Sequence, residues 1–349
     1  MRIRQTGVLF DSPESTPGYL LVSPIQGERA LLLGPDAEIA YEWRIGRGTT
    51  NWCYLLPNGN LFASERSDDR RGPALTVSGR LSEYDRDGGL VWRHHDPYQH
   101  HDARRLPSGA VYSAFLELND QQKAAIKGGV PGSETEGGPF GEAIREVDEA
   151  GEVVWEWSFE GLDVESHPLR PSSNRWSYGH VNTVCPLDDG NYLVSAKNLS
   201  VIFIVDRESG DVVWEFQHPD MSGQHDAQML DTGNILILNN RPYAADIHHS
   251  QVWEIDPRTD EVVWRYVEKD SMTSFFSTHI GSVQRLPSGN TLVCEGSKGC
   301  IFEVTPAGDL VREYVSPHFA ESDQFGWTNW LFRARWYAPD APEIVQLRL

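Results

Sequence analysis

A short turn pattern recurs five times along the chain, and this repeat constrains the fold more than any other feature. Each copy has Leu, two polar or Pro residues and then Gly, and the copies end at Gly59, Gly109, Gly190, Gly233 and Gly289. A second pattern alternates with it, an apolar stretch that carries Trp43, Trp92, Trp155, Trp214 and Trp264, with a degenerate copy near Arg312. Repetition at a spacing of this size is typical of propellers and solenoids.

Each copy reads as four short strands separated by tight turns. Residues 225–266 illustrate this, because strand-like segments rich in Val, Ile, Leu, Trp and Tyr alternate with turns at 231–234 and 257–260. Four strands in each repeat of about 40–50 residues are typical of a β-propeller blade. Six copies therefore predict an all-β fold, a six-bladed β-propeller with four antiparallel strands per blade.

The two ends of the chain are expected to complete one blade together. One strand-like segment, residues 328–337, remains after the fifth full repeat, and residues 19–23, 30–33 and 39–43 supply three more. Pairing them closes the propeller and covers strand edges that would otherwise be exposed. Although 349 residues suggest two domains at about 150 residues each, the repeat predicts a single domain over residues 1–349.

Two segments depart from this regularity. Residues 117–141 form a polar, Gly-rich insertion in the second blade, with a short helical pattern near 119–127, and residues 161–177 connect the second blade to the third. They are either tolerated surface loops or covers over one mouth of the central channel, since long loops often carry function.

The charge of the chain limits its partners. With 51 Asp and Glu against 30 Lys and Arg, the formal net charge is −21, which argues against nucleic acid and anionic membranes as partners. A small-molecule substrate, even an anionic one, remains compatible with a local basic site. The first thirty residues contain no apolar stretch longer than four residues and the four cysteines are scattered. We therefore expect no secretory signal, a cytoplasmic location and free thiols.

Four histidines occupy matching positions in the repeats. Counting back eight residues from the turn glycines reaches His101 and His225, and ten residues back reaches His180 and His279. A step of two residues keeps the same face of a strand. These side chains are therefore expected to converge at one end of the propeller axis, where the first strand of each blade lies.

Convergent imidazoles are compatible with several kinds of chemistry. One can act as a nucleophile while another transfers protons. Alternatively, His101, His180, His225 and His279 ligate a divalent metal in a lyase or hydrolase. A non-catalytic propeller that binds a ligand, or histidines that only fill the axis, are the remaining interpretations.

Other residues flank the same strands and are candidates for substrate binding. The polar candidates are Asn51, Tyr178, Asn182, Lys197, Asn240 and Arg241, and the aromatic ones are Trp52 and Trp327. For the asparagines the alternative is a role in turns, and for the two cations it is ordinary surface exposure.

The chain resembles the bacterial arylsulfotransferase family at several of these blocks. They are residues 18–24 (GYLLVSP), 54–61 (YLLPNGNL), 100–109 (HHDARRLPSG), 179–198 (GHVNTVCPLDDGNYLVSAKN), 223–240 (GQHDAQMLDTGNILILNN) and 333–337 (RARWY). The resemblance implies a six-bladed propeller that moves sulfuryl groups between phenols without a nucleotide donor, and without another cofactor.

The resemblance also implies roles for individual residues. His225 in the GQHDAQ block corresponds to the nucleophile, and His101, His180 and Asn182 correspond to assisting groups. Lys197 stands where the family has an Arg that holds sulfate oxygens, and Lys lacks the bidentate fork of Arg. The familiar members carry a secretory signal and a disulfide, and neither is expected here. The resemblance therefore favours a sulfuryl transferase that acts on a small aromatic or anionic substrate.

Overall fold

The structure is a computed structural model, and it confirms the predicted fold class: an all-β, six-bladed β-propeller. It describes residues 5–45, 49–73, 77–159, 162–244, 247–269, 271, 274–322 and 325–349, and the side chains of residues 49–51 are outside the description. The chain divides into two compact units, residues 1–66, 80–94 and 266–349 and residues 67–79 and 95–265. Each unit holds three sheets and is described by itself.

The first unit contains three antiparallel sheets. One has the order β27-β2-β3-β4 and comprises β2 (Tyr19–Pro24), β3 (Arg29–Leu33), β4 (Ile39–Arg44) and β27 (Leu331–Tyr337). The next comprises β5 (Thr49–Leu55), β6 (Leu61–Arg66), β7 (Gly79–Tyr84) and β8 (Leu90–His95). The last has five strands, β1 (Gly7–Asp11), β21 (Ser282–Arg285), β22 (Thr291–Glu295), β23 (Cys300–Val304) and β24 (Leu310–Val315). A hairpin of β25 (Ala320–Ser322) and β26 (Gly326–Thr328) and a helix α2 (Pro342–Leu347) complete the unit.

The second unit contains the other three sheets, each with its strands in chain order. The first comprises β9 (Gln99–Leu106), β10 (Gly109–Leu116), β11 (Gly141–Asp148) and β12 (Val153–Ser158). The second comprises β13 (Val181–Pro186), β14 (Tyr192–Ala196), β15 (Val201–Val205) and β16 (Val212–Phe216). The third comprises β17 (His225–Met229), β18 (Ile235–Asn239), β19 (Gln251–Asp256) and β20 (Glu261–Tyr266).

The ends of the chain share one blade, as predicted. β27 pairs antiparallel with β2, from Tyr19 opposite Tyr337 to Pro24 opposite Leu331. The structure adds a feature that the sequence did not suggest. β1 pairs with β24 and covers the outer edge of another blade, which removes a row of unpaired backbone groups.

The repeated sequence patterns have simple structural causes. The turn glycines Gly190 and Gly233 have φ of 89° and 80°, a region that glycine reaches without steric cost. In the outer strands the repeated Trp155 is only half-buried, whereas Trp157, two residues later, is 5% exposed. In this strand the aromatic residue that follows the repeated Trp is thus the one that anchors it to the core.

The insertion in the second blade is ordered around a short helix, α1 (Asp120–Ala125). Asn119 caps it, because its side chain accepts from the Gln122 N–H while the Gln122 side chain accepts from the Asn119 N–H. The insertion pairs with the second long segment through a bridge between Gly128 and Leu169. The two irregular segments predicted from the sequence therefore support each other.

All four cysteines lie in the described part of the chain, and none forms a disulfide there. Neither α1 nor α2, the helices within the described ranges, is long and apolar enough to cross a membrane.

Candidate active site

Three histidines of the second unit lie on neighbouring first strands. β13 contacts both β9 and β17; His101 lies in β9, His180 directly precedes β13, and His225 begins β17. His101 and His180 have φ of 44° and 55°, and all three strands shift register at this point. Such bulges re-aim side chains, and left-handed backbone at non-glycine residues is concentrated at functional sites.

His225 is held in one tautomer by two oxygen atoms. Its Nδ1 lies 3.0 Å from the Gly223 carbonyl oxygen and 2.8 Å from Asn240 Oδ1. Both oxygens are acceptors, so the proton of the neutral ring resides on Nδ1. Nε2 then carries the lone pair, which is the arrangement that a nucleophilic imidazole requires. The side chain is only 2% exposed.

His101 is supported by a second histidine and a carboxylate. His101 Nδ1 lies 2.7 Å from His100 Nδ1, and His100 Nε2 lies 2.9 Å from Glu142 Oε2. The contact between His100 Nε2 and Glu142 is not aligned as a hydrogen bond, but the negative charge of Glu142 favours the proton on His100 Nε2, so His100 Nδ1 accepts from His101 Nδ1–H. His101 Nε2 is therefore unprotonated in the neutral state. His100 and Glu142 are both fully buried, and the His100 ring stacks on Phe115 with 3.8 Å between centroids.

Glu142 also fixes the backbone of the third histidine. Its Oε1 accepts from the His180 N–H at 2.7 Å, and its Oε2 accepts from the Val181 N–H at 3.3 Å. The His180 ring lies edge-on to that of His101 with 4.3 Å between centroids. One carboxylate thus positions two of the three histidines.

His180 is kept neutral by its surroundings. Burial is the main cause that lowers its pKa well below the usual range, and the charges of Lys197, His101, His100 and His225 lower it further. These four side chains therefore lie close enough to act on His180 electrostatically. Lys197 is itself buried, and its backbone N–H donates to the His180 carbonyl oxygen at 3.2 Å.

Two predicted binding residues have side-chain contacts of their own. Asn182 is fully buried, and its Nδ2 donates to the Gln224 carbonyl oxygen at 2.7 Å, which ties β13 to β17 beside His225. Tyr178 is 3% exposed, and its hydroxyl donates to the His167 carbonyl oxygen. Asn182 thus connects the strands that carry the histidines.

Arg241 follows Asn240 directly and is held by a buried polar chain. Its Nη1 lies 2.8 Å from His249 Nε2, and His249 Nδ1 lies 2.8 Å from the Ile247 carbonyl oxygen. Gln251 Nε2 lies 2.8 Å from the same His249 Nε2 and Gln251 Oε1 accepts from Trp253 Nε1 at 2.6 Å. His249 thus lies between Arg241 and the Ile247 carbonyl oxygen, with its Nε2 facing Arg241.

An apolar pocket of about 270 Å³ opens beside Glu142. Its walls come from the insertion and from the segment after β12, and include Leu118, Ile126, Phe159, Leu162, Val164 and Tyr178. Phe159 and Tyr178 meet edge to face with 6.2 Å between ring centroids. Such walls suit a planar aromatic ring.

The other predicted site residues belong to the first unit. His279 is half-buried; its Nδ1 lies 2.8 Å from Thr278 Oγ1, and its ring meets that of Trp330 edge-on. Trp52 is 1% exposed and packs with Tyr54 and Phe62 in the core, whereas Trp327 in β26 is 60% exposed. The side chain of Asn51 lies outside the described residues.

The metal alternative depends on a cluster of ligands. Across the described ranges, no group of three or more His, Cys, Asp or Glu side chains is arranged to hold a metal ion. The Nδ1 atoms of His225 and His101 are instead engaged with Asn240 and His100.

Glu142 is the main residue that the sequence interpretation missed. The repeats can be aligned on the residue that ends or directly follows the third strand, Asp85, Asp148, Asp206, Asp256 and Thr305. Six residues earlier stand Gly79, Glu142, Ser200, Ser250 and Gly299. Of these five repeats, the one that holds His100 and His101 has a carboxylate at this position and the other four have Gly or Ser. This difference is a signal that the alignment contains.

Comparison with known proteins identifies relatives of the fold and the sequence. A family model described as arylsulfotransferase (ASST) matches residues 122–316, more than half of the chain. A protein of unknown function from Bacteroides caccae is similar in structure, with a TM-score of 0.57 and 17% sequence identity, over 91% of this chain and 98% of that one. Virginiamycin B lyase from Staphylococcus aureus, solved with quinupristin, gives a TM-score of 0.47 at 13% identity, over 90% and 86%. No curated protein sequence matches the chain.

Proposed function

Because this chain belongs to the arylsulfotransferase (ASST) family, we propose that it transfers a sulfuryl group from an aryl sulfate to a phenol, with His225 as the nucleophile. The observation that carries the proposal is the support of His225: two oxygen acceptors face Nδ1 and leave the lone pair on Nε2. A buried neutral imidazole with this tautomer needs no prior deprotonation before it attacks.

The first half-reaction forms a covalent intermediate. His225 Nε2 attacks the sulfur of the aryl sulfate, the N–S bond forms, and the S–O bond to the ring breaks with its electron pair on the aryloxide. The charge of the buried Lys197 stabilises the anionic donor and the charge that develops on the leaving oxygen. Because His180 is neutral, its ring neither repels Lys197 nor competes with Lys197 for the anion.

The second half-reaction returns His225 to its starting state. The phenol gives its proton to His101 Nε2, its oxygen attacks the sulfur, and the N–S bond breaks with its electron pair on His225 Nε2. His101 becomes positively charged in this step and releases the proton to water before the next turnover. His100 and Glu142 stabilise that charge through the chain of contacts at 2.7 Å and 2.9 Å, in the way that a carboxylate supports the histidine of a hydrolase triad.

The apolar pocket beside Glu142 is the proposed place for the aromatic ring. Its walls are aromatic and aliphatic, so a phenyl group is desolvated there while its oxygen remains near the histidines. Small phenols and their sulfate esters are therefore the proposed substrate class.

The proposal is tested by trapping the intermediate. Purified protein is incubated with 4-nitrophenyl sulfate without an acceptor, and intact mass and peptide mapping follow the sulfuryl group. We expect one sulfuryl group on His225, released when phenol is added. His225→Gln should form no adduct, and its turnover should fall at least about 10⁴-fold, as expected when a nucleophile is removed.

His95→Gln is the matched control, because His95 is exposed and pairs with Asp69. An adduct on another residue, or turnover that persists in His225→Gln, would contradict the proposal.

A further inference from the structure

His167 fastens one wall of the apolar pocket that is proposed to hold the aromatic ring. Residues 162–167, here called the wall segment, contribute Leu162 and Val164 to this pocket. The carbonyl oxygen of His167 accepts from the hydroxyl of Tyr178 at 2.9 Å, and Tyr178 lines the same pocket. The positions of three wall residues therefore depend on where His167 is held.

Both ring nitrogens of His167 face acceptors. Nδ1 lies 2.9 Å from the Asp163 carbonyl oxygen, and Nε2 lies 2.9 Å from Glu215 Oε2. Asp163 belongs to the wall segment, whereas Glu215 lies in β16, the outer strand of the sheet that begins with β13. The contact with Glu215 thus ties the wall segment to that sheet, and the side chain of His167 is only 10% exposed there.

The two contacts can both be hydrogen bonds only when the ring is protonated. A neutral imidazole carries one N–H, and its other nitrogen presents a lone pair. In neutral His167 that lone pair faces either the Asp163 carbonyl oxygen or the Glu215 carboxylate, and a contact between two acceptors is repulsive. Protonation of His167 therefore strengthens the attachment of the wall segment, and deprotonation weakens it.

Two carboxylates near the ring favour its protonated form. Glu215 faces Nε2 directly. On the wall segment itself, the hydrogen bond from Ser166 Oγ is the main cause that lowers the pKa of Asp163, and the charge of His167 lowers it further. Asp163 therefore stays ionised over the range in which histidines titrate.

The insertion in the second blade also contributes a cation to this region. Lys127 pairs with Glu165 at 3.5 Å, and these side chains are 52% and 71% exposed. Solvent screens an ion pair of this kind, and Glu165 offsets the charge of Lys127. The two carboxylates thus outweigh the cation at His167.

We propose that His167 is a positioning residue of the apolar pocket, and that the pocket binds an aromatic ring most tightly when His167 is protonated. A firmly attached wall segment keeps Leu162 and Val164 against the ring, and a loosened one gives up part of that apolar contact. The proposal rests on the proposed function for the identity of the ligand as a reacting phenol, whereas binding of the ring is measured without any reaction.

Binding is measured by calorimetric titration with phenol, without a sulfate donor, at pH 5.5 and pH 8.0, which bracket the titration of histidine. Phenol stays uncharged over this range, as the tyrosine side chain does. We expect the parent protein to bind phenol about fivefold more tightly at pH 5.5, the size of one hydrogen bond. His167→Gln should bring the two dissociation constants close together, because an amide does not titrate. Glu215→Gln keeps His167 but removes the carboxylate, and it should do the same.

His95→Gln is the matched control for these variants. His95 also faces a carboxylate at 2.9 Å, that of Asp69, but it is not part of the pocket wall. This variant should keep the pH dependence of the parent. If sulfuryl transfer occurs, His167→Gln should raise KM for phenol about fivefold at pH 5.5 and leave kcat unchanged. A general loss of folded protein lowers kcat instead.

The outcomes separate this proposal from the proposed function. The role of His167 is overturned if the parent binds phenol equally at both pH values or not at all. It is also overturned if the pH dependence persists in His167→Gln and Glu215→Gln, or if His95→Gln loses it too. If His167→Gln loses the pH dependence while His225 is never sulfurylated, the role of His167 stands and sulfuryl transfer fails. If His225 is sulfurylated while His167→Gln binds phenol as the parent does, transfer stands and the role of His167 is wrong.

Discussion

The supports of His225 and His101 differ in charge, although each histidine lies on the first strand of its sheet. Neutral oxygens, from Gly223 and Asn240, accept from His225 Nδ1–H. His101 instead donates to His100, which faces the carboxylate of Glu142. Neutral acceptors fix a tautomer but do little to stabilise an imidazolium, whereas a carboxylate does both.

This difference indicates a division of roles between two chemically identical side chains. A nucleophile must keep its lone pair, so stabilising its protonated form lowers the reactive fraction. A general base must take up a proton in the transition state, so stabilising its protonated form accelerates the reaction. The environment of each ring, more than its position in the repeat, therefore assigns its role.

The largest effect is expected from removing the negative charge of Glu142, which supports His101 through His100. Glu142→Gln removes the negative charge that favours the proton on His100 Nε2. With its proton on Nδ1, His100 donates to His101 Nδ1, and the proton of His101 then lies on Nε2. His101 then cannot accept the proton of the phenol. We expect transfer to the acceptor to slow by about 10²–10⁴-fold, while sulfurylation of His225 by 4-nitrophenyl sulfate persists. Single-turnover measurements separate the two half-reactions.

Glu146→Gln is the matched control for this variant. Glu146 lies on the same strand, but it pairs with Arg207 and accepts from the Tyr192 hydroxyl. If Glu142→Gln slows both half-reactions equally while its fold is intact, the division of roles is wrong.

A smaller effect is expected from placing a carboxylate beside His225, so that its support resembles that of His101. Asn240→Asp places a carboxylate against His225 Nδ1–H, which favours the imidazolium form and removes the lone pair from Nε2. Formation of the intermediate should fall about tenfold or more at neutral pH and recover as the pH rises.

Asn240→Ala is the matched comparison. The loss of one neutral hydrogen bond should slow formation of the intermediate about fivefold, about 1 kcal/mol, with no change in the pH profile. Identical pH profiles for Asn240→Asp and the parent protein would refute the interpretation of His225.

The repeat predicts most of the fold because the same sequence pattern recurs from blade to blade. Turn glycines and outer-strand aromatics have local causes, namely left-handed backbone and burial, and both are visible in the sequence. The pairing of β27 with β2 also follows, since the repeat leaves one strand over at the end of the chain. The attachment of β1 to β24 was not predictable in this way, because residues 7–11 match no part of the repeat.

The candidate site is only partly visible in the sequence. The positions of His101, His180 and His225 follow from the spacing to the turn glycines. Their hydrogen-bond partners do not, because Glu142 lies some forty residues beyond His101, after an insertion with no repeat of its own. The tautomer of each histidine depends on partners that are distant in the sequence. The repeat spacing therefore predicts where the histidines lie but not how their roles differ.

The smallest effect is expected at the third histidine, His180, and it tests whether this residue is a buried neutral group. His180 has its pKa lowered well below the usual range, chiefly by burial, so in the folded protein it stays neutral where an unfolded histidine takes up a proton. Below about pH 6.5 the unfolded state therefore binds more protons, and stability falls as the pH falls, by up to about 1.4 kcal/mol per pH unit.

His180→Asn keeps a residue that tolerates the left-handed backbone and removes this titration. Urea unfolding at pH 7.5 and 5.5 should show a smaller loss of unfolding free energy in His180→Asn than in the parent. His95→Asn, an exposed histidine, should not reduce the loss, and an equal loss in His180→Asn and the parent would show that His180 is not a buried neutral group.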